Sequence, residues 1–133
     1  QHRPQAIVFQ CGADAVLEDP LSRLALSNTV HWWMASILKT MAPRLLVLGG
    51  GGYNPWTVGR LWSGVWATLN GFAIPDVLPD RAQAVLKPLS WQRLAVPESA
   101  LLTTLRDVPR TGQVRDAIWD LITALKPRLK GQF

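Results

Sequence analysis

The apolar burst Leu45-Leu46-Val47-Leu48 runs directly into Gly49-Gly50-Gly51-Gly52, and Tyr53-Asn54-Pro55-Trp56 follows at once. Four consecutive glycines bury no side chain and lose the most backbone entropy on folding. A folded chain keeps them where backbone approaches another group closely or takes positive φ. The burst before them has the length and composition of a strand, and Asn54 with Pro55 reads as an N-cap followed by a first helical residue. Tyr53 is therefore fixed between a strand and a capped helix. It lies at the carboxyl end of the strand, which is where open parallel α/β sheets bind ligands. A single phenol presented there by backbone without side chains is a candidate functional group.

The upstream pattern completes a fold class. Ala6-Ile7-Val8-Phe9 is a short continuous apolar run, the pattern of a strand buried on both faces. Cys11-Gly12-Ala13-Asp14 closes it, and a polar loop runs on through Asp19-Pro20. Ser27 or Asn28 then caps a helix with Val30, Trp33, Met34, Ile37, Leu38 and Met41 in one apolar stripe, ended by Pro43. Strand, helix and strand in this order predict a right-handed parallel βαβ unit, hence an α/β fold. The helix after Pro55 places Val58, Leu61, Trp62, Val65, Trp66 and Leu69 on one face and stops near Asn70-Gly71. Residues 72–112 carry prolines at 75, 79, 88, 97 and 109, which predicts irregular chain with a short helix near Asp80–Leu86. Gln113–Lys126 is an amphipathic helix with Val114, Ile118, Leu121, Ile122 and Leu125 in line. The tryptophans at 32, 33, 56, 62, 66, 91 and 119 fall mostly on helical stripes and are expected in the core.

Composition narrows the function classes. With 133 residues, 48% hydrophobic and 17% charged, the chain is one globular domain and is not a disordered one. No apolar stretch reaches membrane-spanning length, and no signal peptide is recognisable, so no membrane partner is expected. The lone cysteine, Cys11, excludes an internal disulfide and fits a reducing compartment, so a cytoplasmic location is expected. The net charge of +5 is spread out, with one local cluster at Lys126, Arg128 and Lys130. Aromatics do not interleave with these bases as a nucleic-acid platform requires, so no nucleic-acid partner is expected. The chain begins at Gln1 without a methionine and enters an apolar strand by Ala6, as a piece of a longer or processed protein does.

The glycine turn is not a phosphate loop of known spacing. Counted from Gly49 or Gly50, the sixth position is Asn54 or Pro55 where the dinucleotide fingerprint needs glycine, and no Gly-Lys-Ser/Thr follows. The other polar cluster at a strand end is Asp14 with Glu18-Asp19-Pro20. In a parallel sheet both strand ends open on one edge, so Asp14 or Asp19 can lie near Tyr53. A carboxylate there can ligate a metal, and a tyrosine hydroxyl beside it can donate to a developing oxyanion. The competing reading makes Asp14 a turn or cap residue and Asp19 a solvated loop acid before a proline. His31 and His2 read as structural or solvated residues, and Cys11 as a small buried hydrophobe with no motif to activate it.

Two segments together carry a resemblance. Gln10-Cys11-Gly12-Ala13-Asp14 with Glu18-Asp19-Pro20-Leu21, and then Leu48-Gly49-Gly50-Gly51-Gly52-Tyr53, resemble the C-terminal part of zinc-dependent histone deacetylases. The continuation Asn54-Pro55-Trp56-Thr57-Val58-Gly59-Arg60-Leu61-Trp62 looks most like bacterial acetoin-utilisation-type members. The match is concentrated in residues 5–72; residues 73–133, the Pro-rich segment and terminal helix, carry no family motif. The resemblance implies the arginase/deacetylase fold, zinc as cofactor, and hydrolysis of acetyl-lysine or a related acetylated amine. Asp19 would be a zinc ligand and Tyr53 the oxyanion donor. Gly51 and Gly52 would let backbone pass close to the acyl-lysine tunnel, and Leu26 would line its wall. Asp14 belongs to the motif as a structural residue or one that supports the ligands from behind.

The family's other two zinc ligands, from an Asp-x-His step, and its catalytic histidine pair have no counterpart in these residues. A deacetylase as the parent protein, with this chain inactive alone, is the resulting expectation. Two alternatives stand beside it: a truncated module with a structural or interaction role, and a small nucleotide-binding module using Gly49–Gly52. A sheet edge without neighbours would also invite self-association.

Overall fold

β1 (Ile7–Gln10) and β2 (Leu45–Leu48) lie side by side in a computed structural model that describes residues 3–92 and 97–129. They pair in parallel, Ile7 opposite Leu45 through Gln10 opposite Leu48, and α1 (Asn28–Met41) connects them. The βαβ unit is thus formed as the sequence predicts. α2 (Pro55–Asn70) follows the glycines, and α3 (Asp80–Leu86), α4 (Ser99–Thr103) and α5 (Asp116–Leu129) complete the order. A short 3-10 helix at Ala13–Ala15 and the five-residue α4 lack the periodicity that would announce them.

Both helices of the core lie against one face of the sheet. Phe9 and Val47 pack against a buried cluster of Cys11, Ala13, Val16, Trp32, Leu61 and Val65. The other face is not covered: Val8, Leu46 and Leu48 are exposed. The strands therefore alternate half-buried and exposed positions instead of being buried on both sides. A continuous apolar run reports that both faces prefer apolar surroundings, and the described residues supply a layer for one.

The contact between α1 and α2 is set by one large and one absent side chain. Trp32 donates its indole N–H to the carbonyl of Leu61 at 2.9 Å. A Cβ on Gly64 would fall inside the same indole. The buried face of α1 consequently holds Asn28, Trp32 and Ala35, one step round from the predicted stripe, of which Val30, Trp33 and Met41 are exposed. α1 is apolar on two faces, and spacing weighs both equally; the fit of Trp32 over Gly64 selects one. Along α2, Leu61 and Val65 are buried as predicted, whereas Trp66 is exposed and stacks at a tilt on Phe72, 5.1 Å between ring centroids. Trp56 is buried and meets Trp91 edge-on at 6.1 Å, but Trp33, Trp66 and Trp119 stand outside the core.

The segment after α4 returns to the core through polar groups. Arg60 of α2, 4% exposed, forms an ion pair with Asp107 and donates to the carbonyl and hydroxyl of Thr104 at 2.8 and 3.0 Å. Asp107 accepts the N–H of Asn28 at 2.7 Å and donates its own N–H to the Asn28 side chain at 3.1 Å. The Asn28 amide donates in turn to the carbonyl of Leu105 at 2.7 Å. Residues 104–107 are thereby strapped over the start of α1. α5 begins at Asp116, later than predicted, and leaves Ile118, Leu121 and Leu125 exposed. His2 and Lys130 lie outside the described residues. Among the described residues, no helix is long and apolar enough to cross a membrane.

Candidate active site

Asp19 and Tyr53, 34 residues apart, meet at the carboxyl edge of the sheet. The Asp19 carboxylate accepts the Tyr53 backbone N–H at 2.6 Å on one oxygen and the Leu21 N–H at 2.9 Å on the other. At 4% exposure this is no solvated loop acid. Both oxygens of this buried group are hydrogen-bonded, as buried polar atoms require.

The main chain brings the two segments together. Cys11 N–H donates to the carbonyl of Leu48 at 2.9 Å and Ala13 N–H to that of Gly51 at 2.6 Å, extending strand pairing beyond both strand ends. The Asp19 loop is closed at its base by a parallel bridge between Val16 and Leu26. Leu26 N–H donates to Ala15 at 2.9 Å and Leu17 N–H to Leu26 at 3.1 Å.

The glycines before Tyr53 answer to specific neighbours. Gly52 has φ +147, and a Cβ there would lie 2.6 Å from Val58 and 2.9 Å from the Ala13 methyl. At Gly51 a Cβ would overlap the Asp14 carboxylate. Asp14 thus fills the space the glycine leaves open. Tyr53, which follows, is held at its backbone N–H and is 48% exposed, its hydroxyl without a hydrogen-bond partner among the described residues.

Asn54 ends the turn as the predicted cap. Its Oδ1 accepts the Trp56 N–H at 3.1 Å, while its Nδ2 donates to the carbonyl of Glu18 at 2.9 Å. The second bond is not legible as a cap. The one sequence signal for it is the choice of asparagine where serine, threonine or aspartate would cap as well, because only asparagine sets a separate amide donor beside the capping oxygen.

Leu26 and Asp14 share a second hollow. They line a cavity of about 380 Å³ with Cys11, Gly12 and His31, and neither Tyr53 nor Asp19 is among its walls. A larger apolar groove of about 790 Å³ between α2, α3 and α4 is also without these two residues. His31 lies 3.1 Å from the Gly12 carbonyl through Nε2. A carbonyl only accepts, so Nε2 carries the proton; Nδ1 is then a bare acceptor, buried without a partner among the described residues. Burial lowers the His31 pKa from 6.5, opposed by the Gly12 carbonyl and the Asp14 charge. Burial also pushes the Cys11 thiol up to about 11, which keeps it protonated and unreactive at neutral pH.

The lowered His31 pKa fixes a sign for pH dependence. The unfolded chain takes up this proton first, so the stability that neutral His31 contributes is complete above about pH 6.5 and is lost as pH falls from there towards the folded pKa. The wild-type chain should lose more stability than His31→Gln, whose amide can still donate to Gly12, when urea midpoints at pH 7 and pH 5 are compared. Parallel losses would contradict this.

As a metal centre the site is incomplete. Among the described residues no three His, Cys, Asp or Glu side chains are grouped to hold a metal ion. A catalytic zinc takes three protein ligands, and the Asp19 carboxylate is a single candidate donor. The residues present do not by themselves fit a zinc ion.

Residues 1–69 match the family model of the histone deacetylase domain. "Putative histone deacetylase 2" of Caenorhabditis elegans is 40% identical over 76 residues, 57% of this chain and 15% of that protein. "Probable histone deacetylase 1-A" of Xenopus laevis is 39% identical over 77 residues, 58% of this chain and 16% of that protein. The crystal structure of an HDAC homolog from Aquifex aeolicus superposes with TM-score 0.77 at 34% identity, covering 92% of this chain and 34% of that one. The chain therefore spans 15% and 16% of these two curated relatives and 34% of the solved neighbour. The parallel strands and their helices have the arginase/deacetylase fold. Since the domain match takes in more than half of its residues and the glycine turn with its tyrosine, the chain belongs to the histone deacetylase family.

Proposed function

We propose that this chain contributes an oxyanion-stabilising tyrosine and one metal-ligating carboxylate to a zinc-dependent deacetylase. The substrate class is the amide of acetyl-lysine or of a related acetylated amine. The observation that carries the reading is the 2.6 Å bond from the Tyr53 N–H to the Asp19 carboxylate, with the Tyr53 ring projecting from the strand end. That bond ties donor and ligand to one frame, as amide hydrolysis requires.

Zinc, when bound, supplies Lewis acidity for the carbonyl and a more acidic water. The chain's own residues do the rest of what is proposed here. Asp19 spends one lone pair per oxygen on a backbone N–H and keeps others for a ligand role, while the two N–H bonds fix its orientation. The Tyr53 hydroxyl donates to the carbonyl oxygen as it gains charge. Gly51 and Gly52 are proposed to let backbone pass close to the acyl-lysine channel. Leu26 is proposed for the wall of the acyl channel, through the loop closed at Val16. The continuation from Asn54 to Trp62 supports a bacterial acetoin-utilisation-type protein, and the lone Cys11 supports a cytoplasmic one. The uncovered face at Val8, Leu46 and Leu48 supports association with further chain, either the remainder of such a domain or a second copy.

The test is deacetylation of an acetyl-lysine peptide with added zinc. It compares the 133-residue chain with a polypeptide in which it continues from a segment bearing an Asp-x-His step. Turnover by the longer protein alone is expected. Equal turnover by the short chain would contradict the reading, as would none by either.

A further inference from the structure

Asn54 is 1% exposed, and all of its polar side-chain atoms are used. Its backbone carbonyl accepts the Val58 N–H at 3.0 Å and the Thr57 hydroxyl at 3.1 Å, so the residue is anchored in α2 by main chain and side chain alike. We propose that Asn54 is a positioning residue: through Nδ2 it holds the Glu18–Asp19 main chain against Tyr53, a role separate from capping α2. The proposal deepens the reading of Asp19 and Tyr53 as ligand and donor, and rests on it for its functional meaning.

The geometry is that of two adjacent rungs. Asn54 Nδ2 donates to the carbonyl of Glu18 at 2.9 Å, and one residue inward on each strand of chain, Tyr53 N–H donates to the Asp19 carboxylate at 2.6 Å. The inner rung ends on a side chain that can turn about its own torsions. The outer rung ends on main chain, and fixes where that side chain starts. Other bonds hold the loop at its base, Val16 and Leu26, or within itself, from Asp19 N–H to Val16 at 3.2 Å. The Glu18 side chain adds no anchor through Oε2, which is buried without a partner among the described residues. The Nδ2 bond therefore links the loop tip to the rigid start of α2 directly. Capping does not require it: an N-cap needs an acceptor alone.

Asn54→Ser separates the two roles, because serine caps well but is too short to reach Glu18 and carries no amide. The measurement is amide hydrogen exchange on the 133-residue chain at Tyr53 and Leu21, both donors to Asp19, with Val65 deep in α2 as reference. Loss of a hydrogen bond of ordinary net strength predicts about fivefold faster exchange at Tyr53 and Leu21. Val65 should be unchanged. Asn54→Asp, which keeps the capping acceptor and sets a carboxylate oxygen against the Glu18 carbonyl, should accelerate the same two amides at least as much. Unchanged exchange at Tyr53 and Leu21 would overturn the proposal. So would equal acceleration at all three amides, which marks a role in α2 stability alone. None of these outcomes depends on a bound metal, so a negative result removes the positioning role and leaves the Asp19 reading standing. Failure of zinc binding at Asp19 would leave the exchange result untouched.

Discussion

Asp107→Ala is expected to destabilise the fold by about 3–5 kcal/mol, the range for breaking a buried ion pair by removing one partner. The size follows from what remains. Arg60, 4% exposed, would keep its charge with no carboxylate opposite, and the Asn28 N–H at the start of α1 would lose its acceptor. Arg60→Met should do less harm. It removes the buried charge itself, fills much of the same volume, and leaves Asp107 accepting the Asn28 N–H at a helix N-terminus, where an acid is favoured. Urea denaturation of both variants measures the asymmetry. If Arg60→Met proved the more damaging, the strap would owe its strength to the arginine's packing and not to the pair.

The second large effect concerns chemistry. In a protein with the complete zinc site, Tyr53→Phe should lower kcat by about 100- to 1000-fold, the usual loss for one oxyanion donor. Folding should not change. The phenol hydroxyl has no partner among the described residues, and the bond that holds the turn is made by the backbone N–H, which phenylalanine keeps. Zinc content should be retained, because Asp19 is untouched. KM should move little, since the hydroxyl acts on charge that develops after binding. Steady-state kinetics with metal analysis on the same preparation decide it, and an equally active variant removes Tyr53 from the mechanism.

Features that are local in sequence were legible. The apolar bursts gave both strands, Asn54-Pro55 gave the start of α2, and the glycine run with Tyr53 singled out the strand end that meets the Asp19 loop. What could not be read was settled by partners distant in the chain. Asp19 before Pro20 has the local pattern of either a solvated or a buried acid, and only the approach of Tyr53 distinguishes them. Arg60 reads as a surface base because Asp107 lies 47 residues away. The wrong stripe on α1 has the same origin: Gly64, on another helix, decides which apolar face is buried. The spacing of Leu26 from Asp19 shows neither the bridge to Val16 nor the hollow that Leu26 lines with Asp14 and His31.

The most direct test of the central claim, that Asp19 and Tyr53 belong to one metal-dependent site, is the zinc content of the complete protein carrying Asp19→Asn. It should be compared with wild type at matched folding. Asparagine retains one acceptor for the backbone N–H groups but gives up the charge that a zinc ligand needs. About one zinc per chain is expected in the wild type, with loss of that zinc in the variant. Full retention of tightly bound zinc in a folded Asp19→Asn protein would contradict it.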